Sequence, residues 1–306
     1  MAEITATLVR DLREKTGVGM MDCKAALAAT NGDMEAAVDW LRAKGLAKAA
    51  KKSTRIAAEG LVGVASRGTT GALVEVNSET DFVARNEKFQ AMVAEIAKLA
   101  LDADSSTEKL KTARFPGSQH AVAEYVAEMV STIGENMTVR RTAALSVKDG
   151  VVAHYVHNQA APGMGKIGVL VALESTGNKD ELSSFGRMLA MHIAATNPVS
   201  LDLASVPADV LAREKAILEE KNAGKPANVM EKIIASGLKS YAKDNCLLEQ
   251  VYVHDGSRTV AQAIAEAGNK VGAPLVFKGF NRMQLGEGIE KATDDFAAEV
   301  AKMSGA

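Results

Sequence analysis

The sequence predicts an α+β protein, and three observations lead to that class. Residues 4–45 carry helical spacing alone, short apolar runs of strand length follow them, and one strand-strand-helix order occurs twice at an offset of about 90–97 residues.

In the opening segment Ile4, Leu8, Val9 and Leu12 recur at helical spacing until Thr16-Gly17-Val18-Gly19 breaks the run. A second helix sets Cys23, Ala26 and Leu27 on one face. Asn31-Gly32 turns the chain, Asp33 is placed to cap a third helix, and Glu35 suits the positive first turn. That helix buries Ala37, Val38 and Leu41, with Gly45 as its end. So small a unit has little core of its own, which suits docking. Lys48, Lys51, Lys52 and Arg55, among alanines in 44–55, read as a solvated helical linker, with an RNA or ribosome contact as the alternative.

From Ile56 the pattern changes. Leu61-Val62-Gly63-Val64 and Leu73-Val74-Glu75-Val76 are strand candidates joined by a turn at 68–71. Asn86 caps a helix whose stripe is Phe89, Met92, Val93 and Ile96, and a second helix spans about 118–133. Gly150-Val151-Val152 then echoes Gly60-Leu61-Val62, Gly168 to Val171 echoes Gly71 to Val74, and Phe185 echoes Phe89. A duplicated unit is expected. Inside the second copy, two amphipathic runs around Ala223-Gly224-Lys225-Pro226 form an antiparallel helical hairpin at about 208–244. Val251-Tyr252-Val253 and Leu275-Val276-Phe277 read as strands returning to the second sheet, and a helix through Phe296 and Val300 ends a small C-terminal module.

Composition narrows the function. At 306 residues, 47% hydrophobic and 24% charged, the chain resembles an ordinary globular protein with room for two or three packed units. Met1 to Arg10 lack an apolar core, and no apolar run approaches the roughly 20 residues that span a bilayer. A cytoplasmic protein without membrane contact is expected. Cys23 and Cys246 stand far apart without metal-ligand spacing, which argues against a disulfide framework. With 36 basic and 38 acidic residues and 4% aromatics, neither a phosphate backbone nor stacked bases is an obvious target, so no direct nucleic-acid partner is expected.

A search for catalytic chemistry yields little. Gly163-Met164-Gly165-Lys166 lacks the spacing of a phosphate loop and is followed by Ile167 rather than Ser or Thr. His154 and His157 have no completing ligands, His192 reads as a half-buried core histidine, and Cys23 as a packing residue. No cofactor or metal is expected, and the chain reads as no enzyme. One segment stands out: Glu75 to Asn86 leaves a strand and enters a helix, with Phe82 beside Asp81 where the chain should be exposed. Phe82 either tucks under its own loop while Asp81 caps the helix, or projects as the kind of anchor that dominates an interface.

That segment, with Thr80-Asp81-Phe82-Val83 at its centre, resembles the second signature of the elongation factor Ts family, and Leu12 to Lys24 resembles the first. Ile133-Gly134-Glu135-Asn136 with Arg140-Arg141, Met191 to Ala195, and Gly286 to Lys291 are similar to other family segments. The resemblance implies a ubiquitin-associated-like three-helix domain with linker (1–54), a core of two related α+β subdomains (55–145 and 146–285, the latter with the hairpin), and a C-terminal helical module (286–306). It implies binding of elongation factor Tu, GDP-bound or nucleotide-free, and release of its GDP as a guanine-nucleotide exchange factor. Thr80, Asp81, Phe82 and Val83 would disturb the partner's magnesium and phosphate site. Arg13, Met20 and Met21 would dock the N-terminal domain on the GTPase domain, and His192 and Val253 would grip another domain. The C-terminal module would touch the GTPase domain too. Ala25 and His254 depart from the family pattern, and Ala161-Pro162-Gly163-Met164 is an insertion without an assigned role. The hairpin is open to three readings: a homodimer or two-to-two contact, a surface packed on the partner, or a solvated arm. A helical adaptor working through its first domain and an enzyme using Cys23 or His192 are the competing classes.

Overall fold

The protein is described from a computed structural model, over residues 4–290. Three helices open it: α1 (Ala6–Thr16), α2 (Met20–Ala29) and α3 (Met34–Lys52). The hairpin β1 (Glu59–Arg67) and β2 (Thr70–Ser78) is followed by α4 (Glu87–Ala100), the short α5 (Thr107–Thr112), α6 (Val122–Ile133) and β3 (Met137–Ser146). A second hairpin, β4 (Gly150–Ala161) and β5 (Met164–Glu174), leads to α7 (Lys179–Thr196), α8 (Ala208–Lys221), α9 (Ala227–Asn245), α10 (Val260–Val271) and β6 (Val276–Gln284). The class is α+β. The helix expected through Phe296 and Val300 lies outside the described residues.

The caps are those that local chemistry demands. Asp33 accepts from the Glu35 and Ala36 amides at 2.9 and 3.0 Å, and Asn86 from those of Lys88 and Phe89 at 3.0 and 3.2 Å. α1 stops at Gly17, whose φ of 68° a side chain rarely adopts. Val9, Leu12, Cys23, Ala26, Leu27, Ala37 and Leu41 form a core of the three helices' own.

Two expectations for the next segment fail. Gly45 does not end α3, which runs on to Lys52. A Cβ at Gly45 would stand 3.2 Å from Ser131 Cβ, so glycine there lets α3 lie close against α6. Nor is the lysine-rich run a free linker. Lys44 and Lys48 reach Asp22 at 3.5 and 2.8 Å, Lys52 donates to the Gly134 carbonyl, and Arg55 pairs with Glu79. Cations engaged in this way are poorly placed for a phosphate backbone.

All strand pairs are antiparallel and form one six-stranded sheet, in the order β3-β2-β1-β5-β4 with β6 also on β5. The two halves meet narrowly, at Val62↔Gly165 and Gly63↔Met164, where the Val64 amide also donates to the Gly163 carbonyl. The Pro162-Gly163 turn thus joins the halves. Each hairpin has a glycine at its entry, Gly60 (φ 117°) as the second residue of β1 and Gly150 (φ 139°) as the first of β4, where a Cβ would stand 2.2 Å from the Val76 carbonyl oxygen and 2.0 Å from that of Leu173.

Strand alternation gives each hairpin two buried faces. Leu61, Val74 and Val76 pack on α4 and α6, while Val169, Val171 and Leu173 pack on α7 and α10. Their neighbours Val62, Leu73, Val152, Leu170 and Ala172 meet in a third cluster between the halves. The expected strand at Val251-Tyr252-Val253 is a turn instead, with Val251 bridged only to Thr259. Asp255 accepts from the Ser257 and Arg258 amides at 2.8 and 3.1 Å, and the Tyr252 amide donates to the Arg258 carbonyl. The segment therefore closes on itself.

Where Leu73 points between the halves, so does Glu75, and its carboxylate is fully buried. It accepts from Arg140 at 3.0 Å, Arg141 at 2.5 Å, Asn77 at 3.0 Å and the Gly286 amide at 2.8 Å. Burial pushes its acidity down, but the Gly286 amide, Asn77 and Arg141 outweigh this and hold its pKa below the ordinary 4.5. Glu75→Gln should therefore destabilise the fold by about 3 kcal/mol in urea unfolding, because two guanidiniums lose their buried counter-charge. As pH falls below about 4.5 the unfolded chain takes up this proton before the folded one. Stability held above that point is lost on further acidification, and the loss should be shallower in the variant.

Candidate functional site

The Glu75 to Asn86 segment leaves β2 and reaches α4 through a single 3₁₀ turn, Val83–Arg85. Its two ends are held. On the β2 side, Thr80 donates through its amide (2.9 Å) and hydroxyl (2.6 Å) to the two carboxylate oxygens of Glu135. Glu79 in turn accepts from the Asn136 amide at 2.5 Å. On the α4 side, Val83 is buried in the first core, and Gln90 donates to the Ala84 carbonyl at 2.8 Å.

Between these anchors Phe82 is 74% exposed, so it projects and does not tuck under its loop. A phenyl ring left in water forgoes about 1.5–3 kcal/mol of burial. Asp81 does not cap α4, since Asn86 does; it lies on the surface 3.8 Å from Arg85.

On the N-terminal helices, Met20 and Met21 are exposed at the start of α2 (Met21 at 77%), and Arg13 is exposed on α1. Among the described residues the Arg13 side chain has no polar partner.

The second half departs from expectation at His192. It is fully buried rather than half-buried, so direct grip on a partner does not fit its position. The packing of α7 against the Tyr252 turn encloses it, with ring centres 5.8 Å apart. The Gln250 side chain donates to the Asp244 carbonyl, which turns its oxygen toward His192 Nε2 at 3.0 Å. Nε2 thus carries the proton, and Nδ1 accepts from the Val253 amide at 3.3 Å. His254 contacts the Met188 carbonyl at 2.8 Å. The histidine braces the turn from beneath, while Val251, Val253 and Met188 form its exposed apolar face.

The Thr80 brace and the Val251–Met188 face escaped sequence reading. Glu135 lies 55 positions from Thr80, and no local pattern signals the pair. Cys23 and His192, the alternative reactive groups of the enzyme reading, are both fully buried, Cys23 among the three N-terminal helices and His192 on α7. Among the described residues no three His, Cys, Asp or Glu side chains gather as a metal-ligand group, and no helix is long and apolar enough to cross a membrane.

Exposed apolar side chains on braced loops have the character of anchors at protein interfaces. The family model described as Elongation factor TS matches residues 79–287. The chain is 62% identical to Elongation factor Ts of Methylobacterium radiotolerans over 306 residues, covering 100% of this chain and 99% of that protein. It is 63% identical to that of Methylorubrum populi (99% and 100% covered) and 60% identical to that of Xanthobacter autotrophicus (100% and 99%). The chain belongs to the elongation factor Ts family, translation elongation factors of the nucleotide-exchange class that act in protein biosynthesis with elongation factor Tu.

The buried histidine has a measurable signature. Burial pushes His192 below the ordinary 6.5, with His254 adding to the depression and the Gln250 hydrogen bond opposing it. Below about pH 6.5 the unfolded chain binds this proton first, so stability present above that value declines on acidification, by at most about 1.4 kcal/mol per pH unit. Thermal unfolding at pH 7.5 and 5.5 should show a smaller loss for His192→Gln than for the unaltered protein.

Proposed function

We propose that this chain accelerates GDP release from elongation factor Tu by inserting the Thr80–Val83 loop beside the partner's magnesium and phosphate site, with Phe82 as the wedge. The observation that carries the reading is a large apolar side chain, 74% exposed, on a loop fixed at both ends. Asp81 brings a negative charge to the same tip, where it would compete with phosphate for the magnesium ion. Arg13, Met20 and Met21 dock the N-terminal helices on the GTPase domain, and Val253 meets another domain of the partner. His192 contributes by holding the turn that presents Val253.

Exchange of this kind needs no covalent step. The factor must bind the empty GTPase better than the loaded one, and linkage makes nucleotide and factor weaken each other equally. Accelerating release about 10⁴-fold requires lowering a barrier by roughly 5.5 kcal/mol. Contacts spread over several modules can supply this, since extensive interfaces bury about 2,000 Å² or more.

Phe82→Ala should leave the fold within about 0.5 kcal/mol, because the ring has little contact with its own chain. It should slow release of fluorescent GDP from elongation factor Tu about 30-fold, the equivalent of a 2 kcal/mol anchor. Asp81→Ala should slow it less at fixed magnesium. Unchanged release with the Phe82 variant would sink the wedge reading.

A further inference from the structure

We propose that Glu135 is a positioning residue for exchange, which holds the wedge loop in its projecting form before the partner is met. The inference rests on the wedge reading above. Glu135 stands in the turn between α6 and β3 and grips Thr80 with both oxygens, at 2.9 Å to the amide and 2.6 Å to the hydroxyl. Thr80 lies two residues before Phe82. The grip is reciprocal, since Glu79 accepts from the amide of the next turn residue, Asn136, at 2.5 Å. The Ser78 hydroxyl donates to the Thr80 carbonyl at 3.0 Å, so both polar backbone groups of Thr80 are engaged.

The turn is anchored in its own right. Asn136 is buried and donates to the Arg55 carbonyl at 2.8 Å, and Lys52 donates to the Gly134 carbonyl. The turn therefore ties the end of α3, and with it the N-terminal helices, to the wedge loop. Past the tip, Val83 is locked in the core. Only Asp81 and Phe82 lie between two fixed points. A loop ordered in advance does not spend binding energy on its own ordering when it meets the partner. Freed of Glu135, residues 80–82 would sample conformations that fold Phe82 back onto the surface.

The test is a double-mutant cycle on GDP release from elongation factor Tu, using the full chain, with thermal unfolding of every variant alongside. Glu135→Ala should lower kcat/KM about tenfold. Glu135→Gln should retain most of the rate, because its amide can accept from the Thr80 amide and donate to the hydroxyl. Thr80→Val, which removes only the hydroxyl bond, should fall between them. In a Phe82→Ala background Glu135→Ala should have no further effect, since its action passes through Phe82. A merely structural role would lose the same factor in both backgrounds and overturn the inference. So would a normal rate for Glu135→Ala when Phe82→Ala is slow. If Glu135→Ala does not fold, Thr80→Val carries the same comparison. Normal exchange by Phe82→Ala alone would overturn the wedge reading, and this inference with it.

Discussion

A fully buried carboxylate, Glu75, sets the terms on which the core of this protein assembles. Placing a charge between the halves of a sheet is unfavourable unless every oxygen is satisfied. Arg140 and Arg141 come from β3, and the Gly286 amide from the turn after β6. Those guanidiniums reach onward to the Glu287 and Gln284 carbonyls at 2.6 and 2.9 Å. A single side chain of β2 thus binds its neighbour strand to the chain's far end. Shifting β2 by one residue against β3 would turn Glu75 into the apolar core that Val74 and Val76 now fill, so the charge also specifies register.

The Thr80–Val83 loop inherits its order from that arrangement. β2 carries Glu75 in the sheet and ends at Ser78, from which Glu79 and Thr80 reach the turn leading into β3. Both ends of β3's approach are therefore pinned: the strand by the buried ion cluster and the preceding turn by Glu79 and Glu135. Exposed apolar groups on mobile loops tend to collapse onto the nearest surface. Here the flanking hydrogen bonds keep Phe82 in water, at a local loss that recognition of a partner can recover.

What was legible in the sequence was local chemistry. Asp33 and Asn86 announce their helices because a cap acts within three residues, and the first hairpin announces itself through apolar runs on either side of the turn at 68–71. Projection of Phe82 was one of two open readings, because exposure depends on what lies beneath the loop. The failures are non-local or compete with local closure. Gly45 looked like a helix end because its reason for being glycine, Ser131, is 86 positions away. Val251 to Val253 reads as a strand, but the Tyr252 amide donates to the Arg258 carbonyl of the turn that Asp255 closes, and the Val253 amide to His192. His192 is enclosed by a turn that begins 58 residues later at Gln250.

On the proposed function, the division of labour between modules follows from linkage. Contacts made equally to loaded and empty elongation factor Tu raise affinity without favouring release, so docking by Arg13, Met20, Met21 and Val253 cannot by itself expel GDP. Only a group that competes with nucleotide or magnesium for space discriminates between the two states. Such a group must be stiff, because a flexible one would yield to the bound nucleotide instead of displacing it. The docking surfaces then act by concentrating the wedge at its target, and a rigid path between them preserves their relative position. Lys52 on Gly134, Asn136 on Arg55 and Glu135 on Thr80 make such a path from the N-terminal helices to Phe82. On the proposed reading, binding strength and discrimination reside in different residues, joined by a turn that belongs to neither surface.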